Sequence, residues 1–234
     1  MDVGRLLESA TDMERHFVAE AAAEPAHPTG WSPALLLFHV SRWRERLGDQ
    51  LVNLSHGLPV AAPPSDIDRL NAEELPRGAG MSLKEAAENS ERSMQKLIDL
   101  WAGIGDRPFT WYRANTTGEA LVRIGYFHPR NHLAEHFVER GDRPRGYRIY
   151  EETAAGLRRA DAPRHTLGPA LYNLACARAA EARPEEALSL LEEAFPMWPG
   201  LRQTAASDPG LAALREEPRF LTMISGSEGV SRRS

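Results

Sequence analysis

The chain has 234 residues, of which 42% are hydrophobic and 26% charged, and its formal net charge is −5. That length allows one large domain or two small ones and is enough to bury a proper core, so a disordered chain is excluded. No run of about 18 apolar residues stands in it, which excludes a membrane-spanning helix, and its arginines are interleaved with acids, which argues against a nucleic-acid footprint.

The first helix is expected over Val3 to Ala23, where Leu6, Leu7, Met13 and Phe17 recur at helical spacing. This stretch carries acids and lacks the basic-then-apolar build of a signal peptide. "EPAHPTG" ends it. Ser32 is a good N-cap and Pro33 suits the first helical position, so a second helix should run to about Ser55. "HGLPVAAPPSD" reads as a loop and "DIDRLNAEEL" as a short helix. "GAGMSL" breaks the chain again, and Ser82 caps a third long helix reaching Ile104. "GDRPF" turns the chain into a fourth long helix, about Gly118 to Arg140. "RGDRPRG" then reads as a boundary with little to bury. No segment alternates as a strand would, so the whole chain is expected to be all-α: four long helices in a bundle over residues 1–142, then shorter helices over 147–224 and a disordered tail over 225–234.

Three of the eight histidines, His128, His132 and His136, fall four residues apart in the fourth helix. That spacing stacks side chains on one helix face. In the second helix Leu36, Val40, Trp43, Leu47 and Leu51 form an apolar stripe, and His39 lies on it. Imidazoles aimed from facing helices into a bundle are the usual makings of a metal site, and three protein ligands leave a coordination position for water or substrate. The bland alternative is a satisfied core His39 and a solvated face beside Glu135 and Glu139. Pro129 bears on the choice of pair. Its ring clashes with the carbonyl four residues back, at Gly125, so a kink is expected there. The kink would set His128 apart, which leaves His39, His132 and His136 as the expected ligands. His128, Glu135 and Trp43 are then expected beside the ion or facing a substrate. No catalytic residue and no organic-cofactor site stand out.

"WSPALLLFHVSRW", followed far downstream by "NHLAEHFVERGD", resembles the DinB-like superfamily of four-helix bundles, in its branch of mycothiol-dependent maleylpyruvate isomerases and ClbS/DfsB-like proteins. Trp31, His39, His132 and His136 match its pattern, with Arg140-Gly141 close behind, and "IDRLNAEE" (Ile67 to Glu74) resembles a segment of the same branch. The resemblance covers residues 1 to about 142. It implies a divalent ion, zinc first, with nickel, iron or manganese as alternatives, and a low-molecular-weight thiol as a co-substrate. It further implies an enzyme of the transferase, isomerase or hydrolase kind acting on a small reactive molecule in stress or detoxification.

Downstream, Leu174-Ala175, Ala182, Ala187, Leu191, Ala194 and Pro199 are spaced as in a tetratricopeptide (TPR) repeat. Tyr172 to Glu181 would be its first helix and Pro184 to Phe195 its second, with 147–162 a degraded upstream helix carrying Thr153, Leu157 and Ala160. Asp208-Pro209 with Leu211, Leu214 and Phe220 resembles a capping helix. The lone Cys176 forbids an internal disulfide, fits a reducing cytoplasm, and reads as core among its alanines.

Three functions follow. One is a metal-dependent enzyme for a small-molecule substrate. A second is a non-catalytic binding or self-protection protein whose pocket is lined by Trp31, Trp43, Phe127 and Trp111. The third is an interaction scaffold whose repeat region docks a peptide or protein. A homodimer is left open; neither a membrane nor a nucleic acid is expected as a partner.

Overall fold

The computed structural model describes residues 1–22 and 30–226. The expected break after the first helix and most of the tail lie outside them. The described chain is all-α save for one short hairpin, and it divides into two compact units, Met1–Ile149 and Tyr150–Ser234.

In the first unit α1 (Val3–Ala21), α2 (Pro33–Ser55) and α4 (Leu83–Ile104) are the long regular helices, with α3 (Ile67–Gly78) between the last two. Each starts where a short polar side chain can accept a backbone N–H. Asp2 takes that of Arg5, Ser32 that of Leu35, Asp66 that of Arg69 and Ser82 that of Glu85; a cap of this kind is worth about 1 kcal/mol. The stripe on α2 is buried as expected: Val40, Leu47 and Leu51 are sealed from solvent, and Leu36 and Trp43 nearly so. Burying one such aliphatic side chain contributes about 1.5–3 kcal/mol. α2 packs on α4, and α1 packs on α4.

Two polar residues break the apolar pattern. On α1 the buried position is Glu14, while Met13 is half-buried. On α2 Arg44 falls between Val40 and Leu47 and is fully buried. They meet: Arg44 Nη1 donates to Glu14 Oε2 at 3.0 Å and to Ser90 Oγ at 2.9 Å, Arg44 Nη2 pairs with Glu14 Oε1, and Ser90 Oγ donates to Glu14 Oε2 at 2.8 Å. One ion pair thus ties α1, α2 and α4 together.

The expectation of no strand is corrected by an antiparallel hairpin, β1 (Pro108–Trp111) and β2 (Ala114–Thr116). The strands are too short for alternation to register in the sequence, although Phe109 and Trp111 are buried and Pro108 and Thr110 are not. Tyr112 opens the two-residue loop with φ 51°, a backbone region normally left to glycine.

The fourth long helix is built in three parts: α5 (Thr117–Leu121), a π-helical turn (Val122–Phe127) and α6 (His128–Glu139). The π turn is the chain's answer to Pro129. The His128 N–H reaches back five residues to the Arg123 carbonyl, and His128 keeps helical angles, φ −58° and ψ −51°. A wider turn absorbs the proline without a break. Gly125 sits inside it, where an added Cβ would come within 2.4 Å of Leu7 Cδ2 on α1.

The expected boundary at 140–146 is also corrected. α7 (Arg143–Arg159) begins inside it, with Pro144 early enough to need no N–H partner. Arg145 lies over the Phe137 ring at 3.9 Å and pairs with Glu20. Gly146 lets the backbone approach α6, since a Cβ there would meet Val138 Cγ2 at 2.5 Å. The stretch has more to bury than its composition suggests, and the division of the chain falls later, between Ile149 and Tyr150.

The second unit holds α8 (Arg164–Ala180) and α9 (Pro184–Met197), which pack on each other along their length. Ala187, Leu191 and Ala194 are fully buried, as their spacing predicts. Ala182 turns the chain between them with φ 57°. α10 (Leu201–Ser207), a 3₁₀ turn (Pro209–Leu214) capped by Asp208, and α11 (Pro218–Ser225) follow, with Leu211, Leu214 and Phe220 buried completely. Of the tail expected over 225–234, Ser225 closes α11 and 227–234 lie outside the described residues.

Candidate metal centre

His39 projects from α2, and His128 and His132 from consecutive turns of α6. Their Nε2 atoms converge: His128 Nε2 is 3.2 Å from His39 Nε2 and 3.1 Å from His132 Nε2. One ring nitrogen from each of the three lies within 4.8 Å of the others. An ion held at about 2.0–2.1 Å from tetrahedral nitrogens would put those nitrogens about 3.3–3.4 Å apart, so the spacing fits one with little movement.

The protonation states fit as well. Burial pushes His39 down to about 3, with the charges of His132 and Arg46 adding to the effect. Desolvation holds His128 well below the ordinary histidine range, helped by His132, His39, Arg44 and Arg123. Rings kept neutral carry the lone pair a metal needs. His132 Nδ1 lies 2.9 Å from Glu135 Oε2, and the other oxygen of that carboxylate accepts from Asn131 Nδ2 at 2.7 Å. An Nδ1–H donated to Glu135 fixes the His132 tautomer that leaves Nε2 free, the usual carboxylate–histidine arrangement behind a metal. Tautomers here follow from the hydrogen-bond partners.

His136, expected as the third ligand, is placed elsewhere. It is buried against Phe17, with ring centres 4.9 Å apart, and its Nδ1 accepts from Arg140 Nη1 at 3.0 Å. Arg140 Nη2 in turn donates to the Trp31 carbonyl at 3.0 Å. His136 and Arg140 therefore brace the start of α2. His128, expected outside the ligand set, takes the place given to His136. Four residues advance a helix by about 6 Å and turn it about 40°, so one partner helix can meet only two adjacent members of the row. The π turn keeps His128 in that row where a proline kink would have removed it.

A cavity of about 260 Å³ opens beside the three rings, lined by Trp31, Trp43, Ile67, Asn71, Tyr112, Arg123, Phe127 and Asn131 among others. Trp31 lies 4.9 Å from the His39 ring and 5.5 Å from that of His132, and Trp43 packs on both His39 and His128. Trp43 Nε1 donates to Asn71 Oδ1 at 3.3 Å. Trp31, Trp43 and Phe127 line the cavity as expected. Trp111 does not: it is buried and stacked on Phe109, and its neighbour Tyr112 takes the wall. Tyr112 and Arg123 were not singled out in the sequence, and Asn71 only as part of "IDRLNAEE". The signal available for Tyr112 was the short "WYRAN" turn; Arg123 carried none.

Cys176 is in the other unit, where burial and Asp208 push its thiol up to about 12, which suits core packing and not a nucleophile. No helix among the described residues is long and apolar enough to cross a membrane.

Compared with family models, with curated proteins and with solved structures, the chain matches none. The likeness to DinB-like proteins therefore stands on the motif residues alone.

Proposed function

We propose that the chain is a metal-dependent enzyme acting on a small molecule, with a divalent ion, zinc first, held by Nε2 of His39, His128 and His132. The observation that carries this reading is the convergence of three imidazole nitrogens, with His128 Nε2 at 3.1–3.2 Å from the other two, beside a lined cavity. When bound there, such an ion supplies Lewis acidity and lowers the pKa of a water or thiol next to it. The chain's own residues do the rest. Glu135 orients His132. Trp31, Trp43 and Phe127 exclude water and hold an apolar body. Thiol-dependent transfer or isomerisation, or hydrolysis of a reactive compound, are the reactions this arrangement suits. The cavity itself favours a second reading, a non-catalytic binding protein, which differs only in lacking turnover. The TPR-like spacing of α8 and α9 adds a peptide-docking role as a separate proposal.

The test is elemental analysis of the purified chain and its variants. One equivalent of metal is expected in the native protein, and the same in His136→Gln provided that it folds. His128→Gln and His39→Gln should lose it. Metal retained in His128→Gln and lost in a folded His136→Gln would overturn the ligand set. An occupied site that turns over none of a panel of thiol adducts and reactive esters would favour the binding reading.

A further inference from the structure

The two sides of the His132 ring differ in charge. One side faces a cavity of about 280 Å³ whose wall includes Glu135 and Glu139. The other faces the 260 Å³ cavity that also meets His39 and His128, and no acidic residue among those described lines it. Among the described residues, Arg123 is the one formally charged side chain that lines it. A second guanidinium, Arg46, lies behind the wall, 5.4 Å from the centre of the Trp43 ring. Arg46 Nη2 is paired with Glu74, but Nη1 is buried with no hydrogen-bond partner among the described residues. Tyr112 lines the same cavity, and its buried hydroxyl has no hydrogen-bond partner among the described residues. Burial raises the pKa of that hydroxyl, against the opposing charges of Arg46 and Arg123. Tyr112 is also held at φ 51°, and strained backbone of this kind gathers at ligand clamps.

An unsatisfied buried donor costs about 1–3 kcal/mol, so the Tyr112 hydroxyl beside a lined cavity points to an acceptor supplied from outside. We propose that Arg123 and the Tyr112 hydroxyl, backed by Arg46, form an anion subsite, and that the ligand is a small organic carboxylate whose flat apolar body lies among Trp31, Trp43 and Phe127. Arginine's planar fork matches a carboxylate, and the aromatic walls match a ring. The volume lies below the ~300–1,000 Å³ of drug-sized sites, which limits the ligand to about one ring. The proposal rests on the metal reading only in that the far end of the ligand reaches the open coordination position.

Benzoate and its neutral isostere benzamide test it, titrated into the zinc-loaded full chain with the fluorescence of Trp31 and Trp43 as reporter. Benzoate should bind about tenfold tighter or more, as a charge-assisted pair does. Arg123→Met should erase that preference while zinc stoichiometry stays at the native value, and Arg123→Lys should restore part of it. Tyr112→Phe removes one oxygen and should weaken benzoate about threefold to tenfold without touching benzamide. Equal binding of the two probes would overturn the subsite and leave the metal reading intact. So would a preference that survives Arg123→Met but vanishes on chelation, because the ion would then be the anion's partner. If the chain takes up no zinc yet keeps an Arg123-dependent preference for benzoate, the metal reading fails and the subsite stands.

Discussion

At the scale of single residues, the decisive choice is between His128 and His136. Both stand one turn from His132, both are largely packed in, and only their neighbours differ. His136 is given to Phe17 and Arg140; His128 is given to His39 and His132. The burial of His39 has a measurable consequence. The folded-state pKa of His39, about 3, lies below its unfolded value near 6.5, so the unfolded chain takes up the proton first. Its contribution is fully present above about pH 6.5 and is lost as pH falls toward 3. In chelator the native chain should therefore lose more stability between pH 7.5 and 4.5 than His39→Gln does. The shift implies a gap on the order of 2–3 kcal/mol over that range. Parallel pH dependences of the two urea midpoints would show that His39 is protonated in the fold.

At the scale of elements, α2 carries two side chains that its apolar stripe should not contain, and each does a different job. His39 faces α6 and the cavity. Arg44 turns toward α1 and α4, where Glu14 and Ser90 receive it. Removing one member of a buried ion pair strands the other, at about 3–5 kcal/mol, whereas replacing both by apolar residues is often close to neutral. Glu14→Leu should accordingly destabilise the chain strongly, and adding Arg44→Met should recover most of the loss in the denaturation midpoint. A double variant as unstable as the single one would mean that the pair does more than neutralise itself. An arginine at the third place of the stripe Val40, Trp43, Arg44, Leu47 was visible in the sequence. Its partner was not, because Glu14 is one residue away from the face assigned to α1.

At the scale of the molecule, the chain divides into its two compact units within one helix and not at a linker. The glycine, proline and arginine of 140–146 look like punctuation, yet Gly146 and Arg145 pack on α6. The exposed coil of 56–66 has no such cover. Limited digestion with a protease of broad specificity should therefore cut first within 56–66; a first cut within 140–146 would show that α7 frays there. What the sequence by itself determined is the helical class, the capped starts at Ser32 and Ser82, the apolar stripe of α2, the buried alanines of α9, and two of the three converging histidines. These follow from local propensity and periodicity, which are properties of one segment at a time. Only the tertiary structure decided the third histidine, the Glu14–Arg44 pair, the Tyr112 turn at the cavity and the fate of 140–146. Each depends on what a different segment brings to the same place, and on a π turn that exists because a proline had to fit inside a packed helix.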